Sequence, residues 1–292
     1  MRKEVADRKA WWVPLQPSET IITARFPVVE ARAEEAGGTS VPEVRLIDDF
    51  SASGVNSATA VGEPMPVDIL DTLVAVARRI ASRRGADCQL HFRKEDFKGA
   101  FKSLPLDGND LRFAVVSWKA AVEQGRALQL LCCPFGARSS VFSWHRLGSF
   151  IQALLAIEFF IAYPRFVDDL FSADAVARHA GGFAGPEGTA ACAQRVIELL
   201  GWELHPEKRV RATPEAVILG VVVRAVPGWL IFSICAEKVA KWLACVTRAL
   251  REDFLSPAEA KRLAGRLGWG GSVVFGSDAR AYAGRQSGAQ AT

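Results

Sequence analysis

Residues 164–173, Pro-Arg-Phe-Val-Asp-Asp-Leu-Phe-Ser-Ala, form an apolar run with two adjacent aspartates in its middle. Apolar flanks around an acidic centre read as a β-hairpin with Asp168-Asp169 as its turn. A second run, CQLHFRKEDFKGAF (88–101), reads as a strand that ends in an acidic turn at Asp96. Asp96 and Asp168 lie 72 residues apart, with a long helix expected between them. If the two strands are neighbours in one sheet, three carboxylates converge. Like charges held that close raise one another's pKa, and a fold tolerates them mainly around a cation. All-oxygen donors suit a hard ion such as Mg²⁺ or Mn²⁺. Two such ions about 3.5–4 Å apart stabilise the attacking and leaving oxygens of an in-line phosphoryl displacement. Taken alone, an Asp-Asp pair is usually only a turn, because Asp tolerates turn conformations. The surrounding sequence decides between these readings.

Outward from this pair, LRFAVVSWK (111–119) and ALQLLCCPFG (127–136) read as two strands of a hairpin, with Cys132-Cys133 in the core. Ser139 to Phe160 reads as a long buried helix. A helix at about 187–200 ends at Gly201. WELHPEKRV, AVILGVVVRA and WLIFSI read as strands, the last two joined by a Pro227-Gly228 turn. Upstream, EVRLIDDF (43–50) reads as a strand and Val67 to Arg84 as an amphipathic helix, while VVEARAEEA (28–36) suggests a short helix. The C-terminal part is helical. Ala236 to Glu252 is one helix, and Ser256-Pro257-Ala258-Glu259 opens another, with Ser at N-cap, Pro at N1 and Glu at N3. Trp242 and Trp269 are assigned to its core, and the tail SGAQAT reads as frayed. Four histidines, His91, His145, His179 and His205, show no partner pattern and are assigned to packing or surface.

The chain has 292 residues, half of them hydrophobic and 23% charged. That composition excludes a wholly disordered or collagen-like chain. The net charge of +4 permits nucleic acid as a partner without demanding it. Arginine outnumbers lysine 26 to 10, a weak lean towards phosphate contact. Six cysteines without a C-x-x-C pair argue against a zinc site or a disulfide framework, and for a reducing compartment. Leu147 to Ile157 is the most membrane-like stretch. Its 11 uncharged residues fall short of the ~20 that a span needs. The N-terminus lacks an apolar targeting core, so an intracellular protein without a membrane partner is expected.

In this setting the motifs resemble, in order, those of the polymerase domain of reverse transcriptases from retroelements. Asp96-Phe97-Lys98-Gly99-Ala100-Phe101, followed by Leu104-Pro105-Leu106, resembles the first catalytic motif. Pro134-Phe135-Gly136-Ala137-Arg138-Ser139-Ser140 resembles the segment that opens the template- and nucleotide-facing helix. Phe166-Val167-Asp168-Asp169 resembles the aromatic-x-Asp-Asp box. Gly201-Trp202 with Pro206-Glu207-Lys208 resembles the fourth motif, and Ile218-Leu219-Gly220 the fifth. Arg45-Leu46-Ile47-Asp48 with Asn56 resembles a finger segment, and Ser256-Pro257 with Leu263 to Leu267 a thumb or connection helix. The likeness runs from about Val44 to about Arg266. It departs from the usual pattern in having no Arg soon after Asp48-Asp49-Phe50.

The resemblance implies an α+β right-hand polymerase: fingers, a palm with an antiparallel sheet backed by helices, and a helical thumb. Residues 1–85 are expected to be fingers-like, 86–235 the palm, with part of the fingers at about 107–135, and 236–292 the thumb or connection. It implies RNA-directed DNA synthesis, in which a primer 3′-hydroxyl attacks the α-phosphate of a deoxynucleoside triphosphate on an RNA or DNA template. Asp96 and Asp168 would bind two Mg²⁺ (or Mn²⁺) ions, with Asp169 and the main-chain carbonyl of Phe97 as further contacts. Lys208 would approach the leaving pyrophosphate. Phe101 would sit under the sugar and exclude a 2′-hydroxyl. Phe135 and Gly136 would shape the nucleotide pocket, Arg45 would clamp the triphosphate, and Arg138 and Ser139 would face nucleic acid. Further polyprotein domains outside this chain, such as a ribonuclease H, an integrase or a recombinase, are expected among its partners. Two rivals stand beside this reading. One is a catalytically inactive RNA- or DNA-binding descendant. The other is a different two-metal enzyme, against which Phe101 and the PFG segment speak.

Overall fold

The computed structural model describes residues 2–15, 20–30, 43–85, 88–176 and 186–275. Arg2 opens α1 (Arg2–Ala6), followed by β1 (Ala10–Pro14), β2 (Ile22–Glu30), β3 (Glu43–Asp48) and the short α2 (Val55–Ala58). Next come α3 (Leu70–Arg84), β4 (Leu90–Asp96), β5 (Val115–Ser117), α4 (Lys119–Val122), β6 (Arg126–Leu130) and α5 (Arg138–Glu158). The second half holds β7 (Arg165–Phe166), β8 (Asp169–Ala175), α6 (Pro186–Leu199) and four strands. These are β9 (Val210–Thr213), β10 (Glu215–Ile218), β11 (Val221–Val226) and β12 (Trp229–Ile234), before α7 (Ala236–Glu252) and α8 (Pro257–Phe275). The fold is thus α+β. His179, Ala31 to Ala36 and the SGAQAT tail lie outside the described residues.

The chain forms two compact units and crosses between them several times. The first holds residues 1–67, 97–159 and 197–203. Its sheet has the order β1-β6-β5-β2-β3, antiparallel except for the parallel β2–β5 pair. Ala10, Phe50, Ala114, Val116, Leu128, Leu130 and Ala137 pack as its core. Val28 and Val29 pair with Arg45 and Val44, so the start of VVEARAEEA is strand rather than helix. Two β-branched residues in a ladder outweigh the helical pattern that follows them. Helix α5 buries a stripe of Ser140, Trp144, His145, Gly148, Ile151 and Leu155. Phe150 and Ile157 on other faces are exposed, so the helix is half-buried rather than fully buried. The hairpin of β5 and β6 forms as expected but is shorter, because α4 occupies its connection. Cys132 and Cys133 are both buried.

The second unit holds residues 68–96, 160–196 and 204–292. One sheet has the order β7-β8-β4-β9 and another β10-β11-β12. Leu73 and Ala77 of α3 pack on Leu90, Phe92, Phe171, Ala173, Ala216, Ile218 and Val223. AVILGVVVRA is two strands, not one. Leu219 and Gly220 both have positive φ (50° and 77°) and turn β10 back into β11, the pattern of a two-residue hairpin turn. WELHPEKRV is not a strand until Val210. Pro206 has no N–H for a ladder, and Pro206–Lys208 is a 3₁₀ turn. The capping box of α8 is formed: Glu259 N–H donates to Ser256 Oγ (3.4 Å) and Ser256 N–H to Glu259 Oε2 (3.2 Å). Ser256 and Arg248 hold the Glu259 carboxyl at about 2. Trp242 and Trp269 meet edge to face with centroids 6.0 Å apart.

Candidate active site

The second unit brings the carboxylates together through its sheet. β4 and β8 pair antiparallel over seven residues, and Asp96 stands directly opposite Asp169. The β7–β8 pairing closes with Phe166 opposite Asp169. The turn residues are therefore Val167 and Asp168, one position earlier than Asp168-Asp169. Val167 has φ 57°, an unfavourable value for a β-branched residue that carries about 1–3 kcal/mol of strain. Buried Arg165 braces this turn by donating from Nη1 to the Val167 carbonyl at 2.6 Å. Asp68 holds Arg165 in turn: its Oδ2 accepts from the Arg165 N–H (2.8 Å), and its own N–H donates to the Arg165 carbonyl (3.0 Å). Burial pushes the Arg165 guanidinium down, against the opposing pull of Asp68 and Asp168.

The electrostatics follow from that convergence. Burial raises the Asp168 carboxyl, and the charges of Asp96 and Asp169 raise it further, while its own backbone N–H and Lys208 pull it back. Lys208, on the 3₁₀ turn, ion-pairs with Asp96 Oδ2 at 2.5 Å. The His205 N–H donates to the Asp96 carbonyl (2.7 Å) and ties the turn to the end of β4. Lys94 pairs with Asp169 Oδ1 at 3.0 Å. Two ammonium groups therefore act as counter-ions to Asp96 and Asp169. Among the described residues, no three His, Cys, Asp or Glu side chains stand as a ready-made metal cage. The donor set is nonetheless all-oxygen and self-repelling around Asp168, which fits a hard divalent cation.

In the first unit, Phe101 is buried and its ring meets that of Phe135 edge to face, with centroids 5.0 Å apart. Phe135 itself is 55% exposed. Gly136 has φ 89°, and a Cβ there would come within 2.5 Å of the Asp48 carbonyl oxygen. The side-chain amide of Asn56 clamps this turn. Its Nδ2 donates to the Gly136 carbonyl (3.0 Å), and its Oδ1 accepts from the Arg138 N–H (2.8 Å) at the start of α5. Arg138 and Ser139 are exposed in the first turn of that helix, and Arg138 lies 6.0 Å from the Phe142 ring. Phe97 is buried with its ring edge-on to Trp144 at 4.8 Å. Arg45 is exposed on the edge strand β3, three residues before Asp48 and so about 10 Å along the chain from it. Asp48 is bound by Arg25 through both carboxylate oxygens (2.6 and 2.9 Å). Arg25 also pairs with Glu4. Sequence reasoning missed Arg25, Glu4, Arg165 and Asp68. A charged residue directly before the Phe166-Val167-Asp168-Asp169 box was the one available signal, for Arg165.

No protein-family model matches the chain, and no curated protein matches it. Solved structures do. The foamy viral protease-reverse transcriptase in complex with double-stranded DNA aligns over 92% of this chain at 12% identity and a TM-score of 0.57. The same viral protein in complex with an RNA/DNA hybrid aligns over 88% at 14% identity and a TM-score of 0.55. A third structure, described as the dRH form with double-stranded DNA, aligns over 91% at 13% identity and a TM-score of 0.57. The alignments span 46%, 28% and 38% of those chains, so the chain matches less than half the length of each of these neighbours. At such identity the likeness is one of fold: the chain has a reverse-transcriptase-like fold.

Proposed function

We propose that the protein is an RNA-directed DNA polymerase, a retroelement-derived module with fingers (1–85 and about 107–135), palm (86–235) and thumb or connection (236–292). The observation that carries this reading is the pairing of Asp96 opposite Asp169, with Asp168 in the adjoining strained turn. Like charges opposite one another in a sheet repel, and three carboxylates at one end call for cations beside them. Asp96 and Asp168 would hold divalent cations, with Asp169 and the Phe97 carbonyl as further ligands. The bound ions would supply charge stabilisation to an in-line phosphoryl transfer. Lys208, released from Asp96, would stand near the leaving pyrophosphate as a cation or proton donor. Phe101 would sit under the sugar, Phe135 and Gly136 would shape the nucleotide pocket, the glycine letting its turn pack on the Asp48 carbonyl, and Arg45 would meet the triphosphate. Arg138 and Ser139 would contact the phosphates of a template and primer. The nucleic-acid complexes of the structural neighbours support that partner class. No helix among the described residues is long and apolar enough to cross a membrane.

A second reading, an inactive nucleic-acid-binding descendant, is favoured by one observation: Lys208 and Lys94 already neutralise two of the three carboxylates. Extension of a DNA primer on an RNA template separates the two. The first reading expects extension in Mg²⁺ or Mn²⁺ that chelation abolishes. Tight hybrid binding without extension would establish the second.

Phe101 gives a specificity prediction. Phe101→Ala is expected to lower discrimination against ribonucleotides by about 10- to 100-fold, the range that pocket shape controls. It is also expected to destabilise the fold by about 3 kcal/mol or more, because the ring is buried. Competitive incorporation of paired deoxy- and ribonucleotides checks it, and unchanged discrimination would remove Phe101 from the sugar site.

A further inference from the structure

Glu4, in the first helical turn of the chain, touches both supports of the Phe101–Phe135–Gly136 surface. Its Oε2 lies 2.8 Å from Arg25 Nη1, and its Oε1 lies 2.6 Å from Lys102 Nζ. One support runs through Arg25 to Asp48, whose carbonyl oxygen is the surface on which Gly136 packs. The other runs through Lys102, which follows Phe101 in the 3₁₀ turn Phe101–Ser103. The ring of Phe101 in turn meets Phe135. Burial pushes the Glu4 carboxyl up, but Lys102 and Arg25 outweigh it and the net shift is down. Two cations this close repel each other unless one carboxylate stands between them. Lys102 is the more exposed of the two, so it is the one that would swing away.

We propose that Glu4 is a positioning residue. By joining Arg25 and Lys102 through one carboxylate, it sets the Phe135–Gly136 turn against Phe101 and so fixes the seat of a deoxynucleotide sugar. The inference rests on the polymerase reading above. It gives the N-terminal segment a role in substrate selection beyond adding strand β1 to the sheet.

Glu4→Gln keeps the shape and removes the charge. In single-turnover incorporation by the full chain, it should weaken the apparent affinity for deoxynucleotide about tenfold and leave the maximal rate within about twofold, the split expected when seating rather than chemistry is lost. Discrimination against ribonucleotides should fall in parallel. Lys102→Met, which cuts only the second support, should relax discrimination as well, and the double variant should add little to Glu4→Gln. 4-Fluorophenylalanine at position 135 provides a readout that needs no activity. Its ¹⁹F resonance should shift or broaden in both single variants while unfolding stays cooperative. An unchanged resonance in both would overturn the proposal. So would unchanged nucleotide affinity and discrimination in an active enzyme. If the wild-type chain incorporates nothing, the polymerase reading fails, and the ¹⁹F signal alone still decides whether Glu4 sets the turn.

Discussion

Asp168→Asn should remove nucleotide incorporation while leaving the protein at least as stable as the wild type. On the polymerase reading, in which Asp168 would hold a cation that a neutral amide cannot, the loss is expected to be ~10³-fold or more, about 4 kcal/mol of transition-state stabilisation. The stability arm follows from the raised Asp168 carboxyl. Its folded value lies above the ordinary 3.8, so its contribution is fully present below 3.8 and is lost as pH rises through the folded value. At neutral pH burial penalises the ionised side chain and Asp96 and Asp169 repel it, and the neutral Asn relieves both. Thermal melts of both proteins at pH 7 and near pH 3 check this. The variant should melt at or above the wild type at pH 7, and that advantage should shrink in acid. Retained incorporation would take Asp168 out of the reacting site. A lowered melting temperature at pH 7 would contradict the electrostatic argument.

Gly136→Ala carries a large expected effect on stability through the backbone. Position 136 has φ 89°, and the new Cβ would fall 2.5 Å from the Asp48 carbonyl oxygen, where backbone rather than a flexible side chain must give way. Left-handed strain of about 1–2 kcal/mol and overpacking of about 1–3 kcal/mol together predict a loss of roughly 2–5 kcal/mol. Gly54→Ala is the matched control. It has φ 82° in the same unit but nothing within 4 Å of its Cβ, so only the strain of about 1–2 kcal/mol applies. Denaturant unfolding of the two variants measures the difference. Equal losses would mean that the Gly136–Asp48 approach does not constrain the turn.

The hydrophobic runs around the acidic residues made most of the second unit legible. Strand β4, the aspartate hairpin and helices α7 and α8 follow from periodicity and capping residues visible in one dimension. The hairpin turn was misplaced by one residue for a physical reason. Asp-Asp is good turn chemistry, whereas Val167 is a poor left-handed residue. The observed turn is braced by Arg165 on the Val167 carbonyl, a contact that no turn preference encodes. Pro206 hid behind strand-like neighbours and broke a strand that their composition suggested. The supports of the first unit were not legible at all. Glu4 and Lys102 lie 98 positions apart, and Arg25 and Asp48 lie 23 apart. Each pair looks locally like surface charge until the β2–β3 and β2–β5 pairings draw β2 into the unit.

The most direct test of the polymerase claim is single-nucleotide incorporation on four RNA templates that differ only in the base opposite the next position. Each would be offered the four deoxynucleotides separately with Mg²⁺ or Mn²⁺. The expected result is addition of the complementary nucleotide on each template by the wild type, and none by Asp168→Asn. Addition that ignores the template base, or that survives Asp168→Asn, would contradict it.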